Sequence, residues 1–177
     1  MRFYEPARQA LPNPAILGSP SQFSPAFAAS FLFDGVGEAG LNANNEQWAG
    51  SGPGPHTLQF DFGSGVAVDT MGSAQRLGDI PTIDKVTAID LYFSDINGVF
   101  DALPDTILSV SNTANSNFTE YSLGGSFTGR YLKAVFTGNG GNPGGSELRF
   151  YGAPVPELSQ ALLSLAAVCG LMIRRRR

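Results

Sequence analysis

Residues 57–62 read Thr-Leu-Gln-Phe-Asp-Phe, and residues 130–137 read Arg-Tyr-Leu-Lys-Ala-Val-Phe-Thr. In the first stretch Leu58, Phe60 and Phe62 alternate with Gln59 and Asp61. Successive side chains of a strand point to opposite faces, so this spacing sets one face in a core and the other in water. In the second stretch Leu132, Ala134 and Phe136 make the expected core face, and Tyr131, Lys133, Val135 and Thr137 the other. Outward from these two, apolar runs of strand length recur at 66–74, 85–94, 106–110, 118–123 and 147–151. Clusters of Gly, Asn, Asp and Pro separate them, as turns do in an all-β chain. Seven or eight strands with long loops fit a two-sheet sandwich or jelly roll.

The bulk numbers agree. A chain of 177 residues suffices for one domain with a hydrophobic core, and Gly (22) and Pro (12) are plentiful while charged residues make up only 15%. The expected domain runs from 23 to 153. Residues 1–22 carry four prolines and no sustained periodicity, which reads as an extended leader or a loosely attached edge segment. The opening MRFYEPARQALPNPAILG has Arg2 but lacks the apolar core of a secretory signal. For an exported protein this implies a true start further upstream; the alternative is a domain that is never exported.

Four of the eleven basic residues are Arg174, Arg175, Arg176 and Arg177. Without them the body holds 7 basic against 15 acidic residues. Such a body offers no basic face for phosphates, which excludes nucleic acid as a partner. The only cysteine, Cys169, lies in the apolar tail, so no intramolecular disulfide and no Cys-based metal site can form.

Residues 158–173, LSQALLSLAAVCGLMI, contain no charge. As a helix they would span roughly 24 Å, slightly short of a bilayer, and flanking arginines can snorkel to the interface. A buried C-terminal helix is the other reading, but four consecutive arginines would serve no purpose there. The positive-inside rule keeps those arginines in the cytoplasm and puts residues 1–157 across the membrane. The order of a Val155-Pro156-Glu157 motif in a short linker (154–157), an apolar stretch and an arginine cluster resembles a bacterial PEP-CTERM sorting signal. The resemblance implies export, retention by this tail and processing by an exosortase-type membrane enzyme. Leu158 stands where that family has a second proline, which weakens the expectation of processing more than that of membrane targeting.

In the body, Leu32-Phe33-Asp34-Gly35, then Glu46-Gln47-Trp48, then the strand ending Asp61-Phe62-Gly63 follow one another. Ala74-Gln75-Arg76, Leu91-Tyr92-Phe93-Ser94-Asp95, Gly129-Arg130-Tyr131-Leu132-Lys133 and the closing Ser146-Glu147-Leu148-Arg149-Phe150-Tyr151-Gly152 come after them. Their order over about residues 23–152 resembles the discoidin-type galactose-binding-like fold of coagulation factor five/eight type C domains and many bacterial carbohydrate-binding modules. The fold expected is therefore a discoidin-like jelly-roll β-sandwich followed by one C-terminal transmembrane helix. The resemblance also implies a structural calcium ion held by Asp34, by loop carbonyls and by Glu147. Oxygen ligands from distant segments suit such a hard cation. The alternative is that Asp34 caps a turn while Glu147 pairs with Arg130 or Arg149.

Catalytic chemistry is sparse. His56 is the single histidine, no nucleophile elbow surrounds a serine, and Asp90, Asp95, Asp101 and Asp105 read as solvated loop carboxylates before they read as a glycosidase pair. Asp95-Ile96-Asn97-Gly98 lacks the rest of a calcium loop. The run GNGGNPGG at 138–145 reads as a flexible loop, without the helix a phosphate cradle needs. Trp48 and Arg76 are the residues to test for ligand contact, Trp48 as a sugar-stacking ring that in this family more often packs between loops and core, Arg76 at a loop mouth. The expectation is an exported, non-enzymatic module that binds glycan or extracellular polymer, anchored at the envelope or released to the matrix. A structural surface protein without a small ligand is the first rival, and a hydrolase of unknown type the second.

Overall fold

The computed structural model describes residues 9–35, 47–76, 84–110 and 118–155. Eight strands follow along the chain: β1 (Gln9–Ala10), β2 (Ala15–Leu17), β3 (Trp48–Ala49), β4 (His56–Gln75), β5 (Val86–Ser94), β6 (Thr106–Ser109), β7 (Thr119–Gly138) and β8 (Gly144–Pro154). Two short 3-10 turns, Pro25–Phe27 and Ala29–Phe33, precede β3. All strand pairings are antiparallel, and the main path runs β1-β8-β4-β7-β5-β6, with β2 beside β4 and β3 beside β8. The architecture is all-β and consistent with a jelly-roll sandwich.

Strands expected at 57–62 and 66–74 are one strand, and so are those at 118–123 and 130–137. The reason lies at Gly63-Ser64-Gly65, where the Asp61 carboxylate accepts the Gly63 N–H at 2.7 Å and the register shifts between Asp61 and Val66 without ending the ladder. β4 and β7 thus form one long ribbon folded at this corner. Its first half pairs His56 with Phe136 through Asp61 with Tyr131, its second Val66 with Gly129 through Ser73 with Thr119. The corner needs a glycine at 129, because a Cβ there would lie 2.8 Å from the Ser94 nitrogen, a backbone atom that cannot swing aside.

Folding the ribbon brings its two apolar faces together. Leu132, Ala134 and Phe136 are 0%, 1% and 2% exposed, as the alternation predicts. Phe60 from one half meets Phe150, which pairs with Met71 of the other, in an edge contact at 5.9 Å. Aromatic edges of this kind add to the area they bury. Residues 9–17 join the sheet ahead of the expected boundary at Phe23: β1 pairs with β8, β2 with β4, and Leu11 is buried with its N–H on the Phe150 carbonyl at 2.8 Å. Pro12 and Pro14 obscure this in the sequence, although proline is tolerated beside an edge strand.

The molecule has two ends. One gathers both termini of β4 with the starts of β5 and β8; the other holds the ribbon corner, the end of β5 at Ser94 and the end of β8 at Pro154. β8 runs between them, roughly 33 Å at about 3.3 Å per residue. Among the described residues no helix is long and apolar enough to cross a membrane. The expected membrane helix, Pro156 and Glu157 of the sorting motif, and the four terminal arginines lie outside the described residues. Val155 lies at the corner end, its N–H on the Gly65 carbonyl at 2.9 Å.

Candidate functional site: a clamped loop end

At the end opposite the corner, the glycine-rich run between β7 and β8 is pinned, against the expectation of a flexible loop. Asn142 holds it on three sides: its N–H donates to Asp84 Oδ1 at 2.7 Å, its carbonyl accepts from Arg76 Nη1 at 3.0 Å, and its Oδ1 accepts the Gly52 N–H at 2.8 Å. Gly50 N–H adds a bond to the Pro143 carbonyl at 3.0 Å. Three segments distant in sequence therefore share one tie point.

Arg76, a residue expected at a loop mouth for ligand contact, serves this clamp. It is 8% exposed, its guanidinium lies 5.2 Å from the centre of the Phe27 ring, and Nη1 is 3.6 Å from Asp84 Oδ2. Burial pushes its pKa down and Asp84 offsets part of that, as expected for a cation taken from water beside a partner. Trp48, the other residue named for ligand contact, lies inside the core. It is 0% exposed, donates Nε1–H to the Ser21 carbonyl at 3.0 Å, and meets Phe136 at 5.0 Å and His56 at 6.1 Å edge-on. A large indole here fills the core because β3 runs directly against β8. Only glycine at 144 permits that approach, since a Cβ would run into the Trp48 carbonyl oxygen. His56 is buried too, with Nε2 2.9 Å from the Gly52 carbonyl, and supports the 50–55 loop.

Among the described residues, Phe23 is the large apolar side chain this end exposes. Its ring is 56% exposed and stands edge-on against Phe27 at 5.8 Å, and its N–H is fixed on the Ala49 carbonyl at 2.7 Å. A continuous set of contacts thus links the exposed ring through Phe27 and Arg76 to Asp84 and Asn142. Ser51, whose N–H bonds Ser21 Oγ at 3.1 Å, borders it. An aromatic face beside polar loop groups can take the C–H face of a sugar and its hydroxyls together. Sequence reasoning missed Phe23, because its stretch between Pro20 and Pro25 has no periodicity to separate an exposed ring from a core one.

Asp34 and Glu147 are brought to the same turn. Asp34 ends the second 3-10 turn in a helical conformation, and Gly35 N–H donates to Glu147 Oε2 at 2.9 Å. Glu147 is 0% exposed, and its Oε1 lies 3.3 Å from Arg149 Nε. Arg130 pairs instead with Asp61, at 2.8 and 2.9 Å. A buried carboxylate aimed at a turn fits a hard oxygen-binding cation in kind and place. Among the described residues, however, no three acidic, His or Cys side chains converge, so loop carbonyls would have to complete the shell. The other acidic candidates are structural or solvated: Asp105 Oδ2 accepts the Phe93 N–H at 2.7 Å, and Asp95 and Asp101 are exposed.

No protein-family model matches the chain, and no curated protein does. Solved structures do. The family 32 carbohydrate-binding module of C. perfringens NanJ, in complex with galactose, aligns with a TM-score of 0.62 at 16% identity, over 81% of this chain and 98% of that one. The C-terminal domain of a chitobiase from Bacteroides fragilis gives 0.62 at 20% identity, over 84% and 99%. The family 32 module of AlyQ, in complex with 4,5-unsaturated mannuronic acid, gives 0.56 at 15%, over 80% and 97%. At these identities the likeness establishes the fold, which is discoidin-like.

Proposed function

We propose that this chain is a non-catalytic glycan-binding module whose site is the clamped loop end around Phe23. The observation that carries the reading is the exposed Phe23 ring, edge-on against Phe27, which in turn packs under the Arg76 of the Asn142 clamp. The fold is shared with modules solved with galactose and with an unsaturated uronic acid. Between those two chemistries, the acidic body and the Asp84 that balances Arg76 favour a neutral sugar over an anionic one. Binding of neutral galactose-type glycans by the full chain, lost in Phe23→Ala, tests this; equal binding by the variant overturns it. The structural rival draws support from the inward turn of Trp48 and Arg76, and silence across neutral and acidic glycans would favour it.

Two further parts of the reading are proposals of the same standing. Asp34 and Glu147 would hold a calcium ion that staples the turn to β8, in competition with Arg149. At a calcium concentration about 100 times Kd the folded state gains about 2.7 kcal/mol. For a chain of this size that is a Tm rise of roughly 5 to 10 °C. The rise is expected in the full chain, absent in Glu147→Gln, and reversed by EDTA; no calcium response in the wild type removes the ion. The tail anchors the domain at a membrane, outside the cytoplasm, with later processing by an exosortase-type enzyme as one fate. The corner end then lies at the bilayer, and the glycan site is presented roughly a β8 length away.

A further inference from the structure

Four of the six exposed large apolar residues among the described residues fall in one twelve-residue stretch: Ile96 at 63%, Val99 at 58%, Leu103 at 78% and Ile107 at 60%. Scattered surface apolar residues are ordinary, but concentration in one place marks an interaction surface. The stretch is the loop from β5 to β6 with the start of β6, the outermost strand of the main path. It is ordered locally: Val99 N–H bonds the Ile96 carbonyl at 3.2 Å, Ser94 Oγ brackets Ile96 at 3.1 Å, and Asp105 ties the far end to β5, its N–H on the Leu91 carbonyl and its carboxylate on the Phe93 N–H.

Its position narrows the occupant. The loop leaves β5 at Ser94, which abuts Gly129; Gly129 pairs with Val66, and Val66 pairs with Pro154, where β8 ends. At about 4.8 Å per strand spacing the loop therefore begins roughly 15 Å from the point where the chain departs toward its apolar tail. Only Pro156 and Glu157 separate Val155 from the uncharged run 158–173. If that run sits in a bilayer, the corner end, where Val155 leaves the fold, is the end nearest it. We infer that Ile96, Val99 and Leu103 form a lipid-contact surface, dipping into the interface beside the tail and fixing the tilt of the domain on the membrane. The inference rests on the tail anchoring the chain. The loop carries Asp95, Asp101 and Asp105, and one cation, Lys133 of β7, lies 5.3 Å from the centre of its Phe100 ring, so the acidic excess suits a zwitterionic surface and disfavours an anionic one.

The test uses the full chain with Cys169→Ser and one environment-sensitive label at a time, on Val99→Cys, Ser51→Cys or Ala166→Cys. The labelled chains are reconstituted into phosphatidylcholine vesicles carrying a shallow spin-labelled lipid. The expected result is quenching and a blue shift at Val99 and at the tail position, none at Ser51 on the opposite end, and weaker quenching at Val99 when phosphatidylglycerol is added. Quenching at the tail with none at Val99 overturns the lipid contact while leaving the anchor standing. No quenching at the tail overturns the anchor and the inference with it. A Val99 signal that follows protein concentration in lipid-free detergent assigns the patch to a second copy, which also overturns it.

Discussion

Asp61 and Arg130 meet across two adjacent strands as a bidentate pair beside the ribbon corner. The hydrogen bond from Arg130 is the main cause holding the Asp61 carboxyl below its ordinary value of 3.8, with desolvation opposing it and the Gly63 N–H assisting. A carboxylate with a lower pKa folded than unfolded stabilises the fold fully above the unfolded value, and loses that contribution as pH falls through the folded one. Solvent screening keeps the effect small, since the Arg130 side chain is 44% exposed. Melting temperatures of wild type and Asp61→Asn should therefore differ at neutral pH and converge under acid. At the same scale, Trp48→Ala empties the core and should cost about 3–5 kcal/mol in urea unfolding. Phe23→Ala, at an exposed ring, should change stability by no more than about 0.5 kcal/mol. The sequence marks both as aromatic but not which is buried. That distinction arises from β3 meeting β8, a contact between residues about a hundred positions apart.

Elements repeat the lesson in another form. The period-two alternation at 57–62 and 130–137 is visible because each strand has one wet and one dry face, and the burial follows it except at Phe62, which is half-buried beside the corner. The continuity of β4 through Gly63-Ser64-Gly65 is not visible, since two glycines around a serine read as a turn in any chain. Nor is the clamp at Asn142, whose partners Arg76, Asp84 and Gly52 come from three other segments. The clamp makes its own prediction. Asn142→Ala removes the side-chain bond to Gly52 but keeps both backbone bonds, so the loop loosens without unfolding the domain. Glycan affinity should fall by roughly tenfold, about 1.4 kcal/mol, with little change in Tm. Unchanged affinity would mean that the 138–145 loop does not shape the site.

Across the whole molecule, the folded ribbon gives the domain a polarity that no local stretch of sequence contains. One end gathers the starts of β5 and β8 with the exposed Phe23 and the Asn142 clamp; the other gathers the corner, the apolar β5–β6 loop and Val155. The order of the Asp34-Gly35, Trp48 and Glu147 segments was legible, and so was the fold they imply. Of the proposed site, the sequence singled out Arg76, which the structure places in the Asn142 clamp, and passed over Phe23, which leaves no periodic signal. On the proposed function, the Phe23 end binds neutral glycan. Calorimetric titration of the full chain and of Phe23→Ala with a galactose-type oligosaccharide tests it most directly. Saturable binding by the wild type and at least a tenfold loss in the variant at unchanged Tm are expected. Binding of equal strength by both proteins would contradict it.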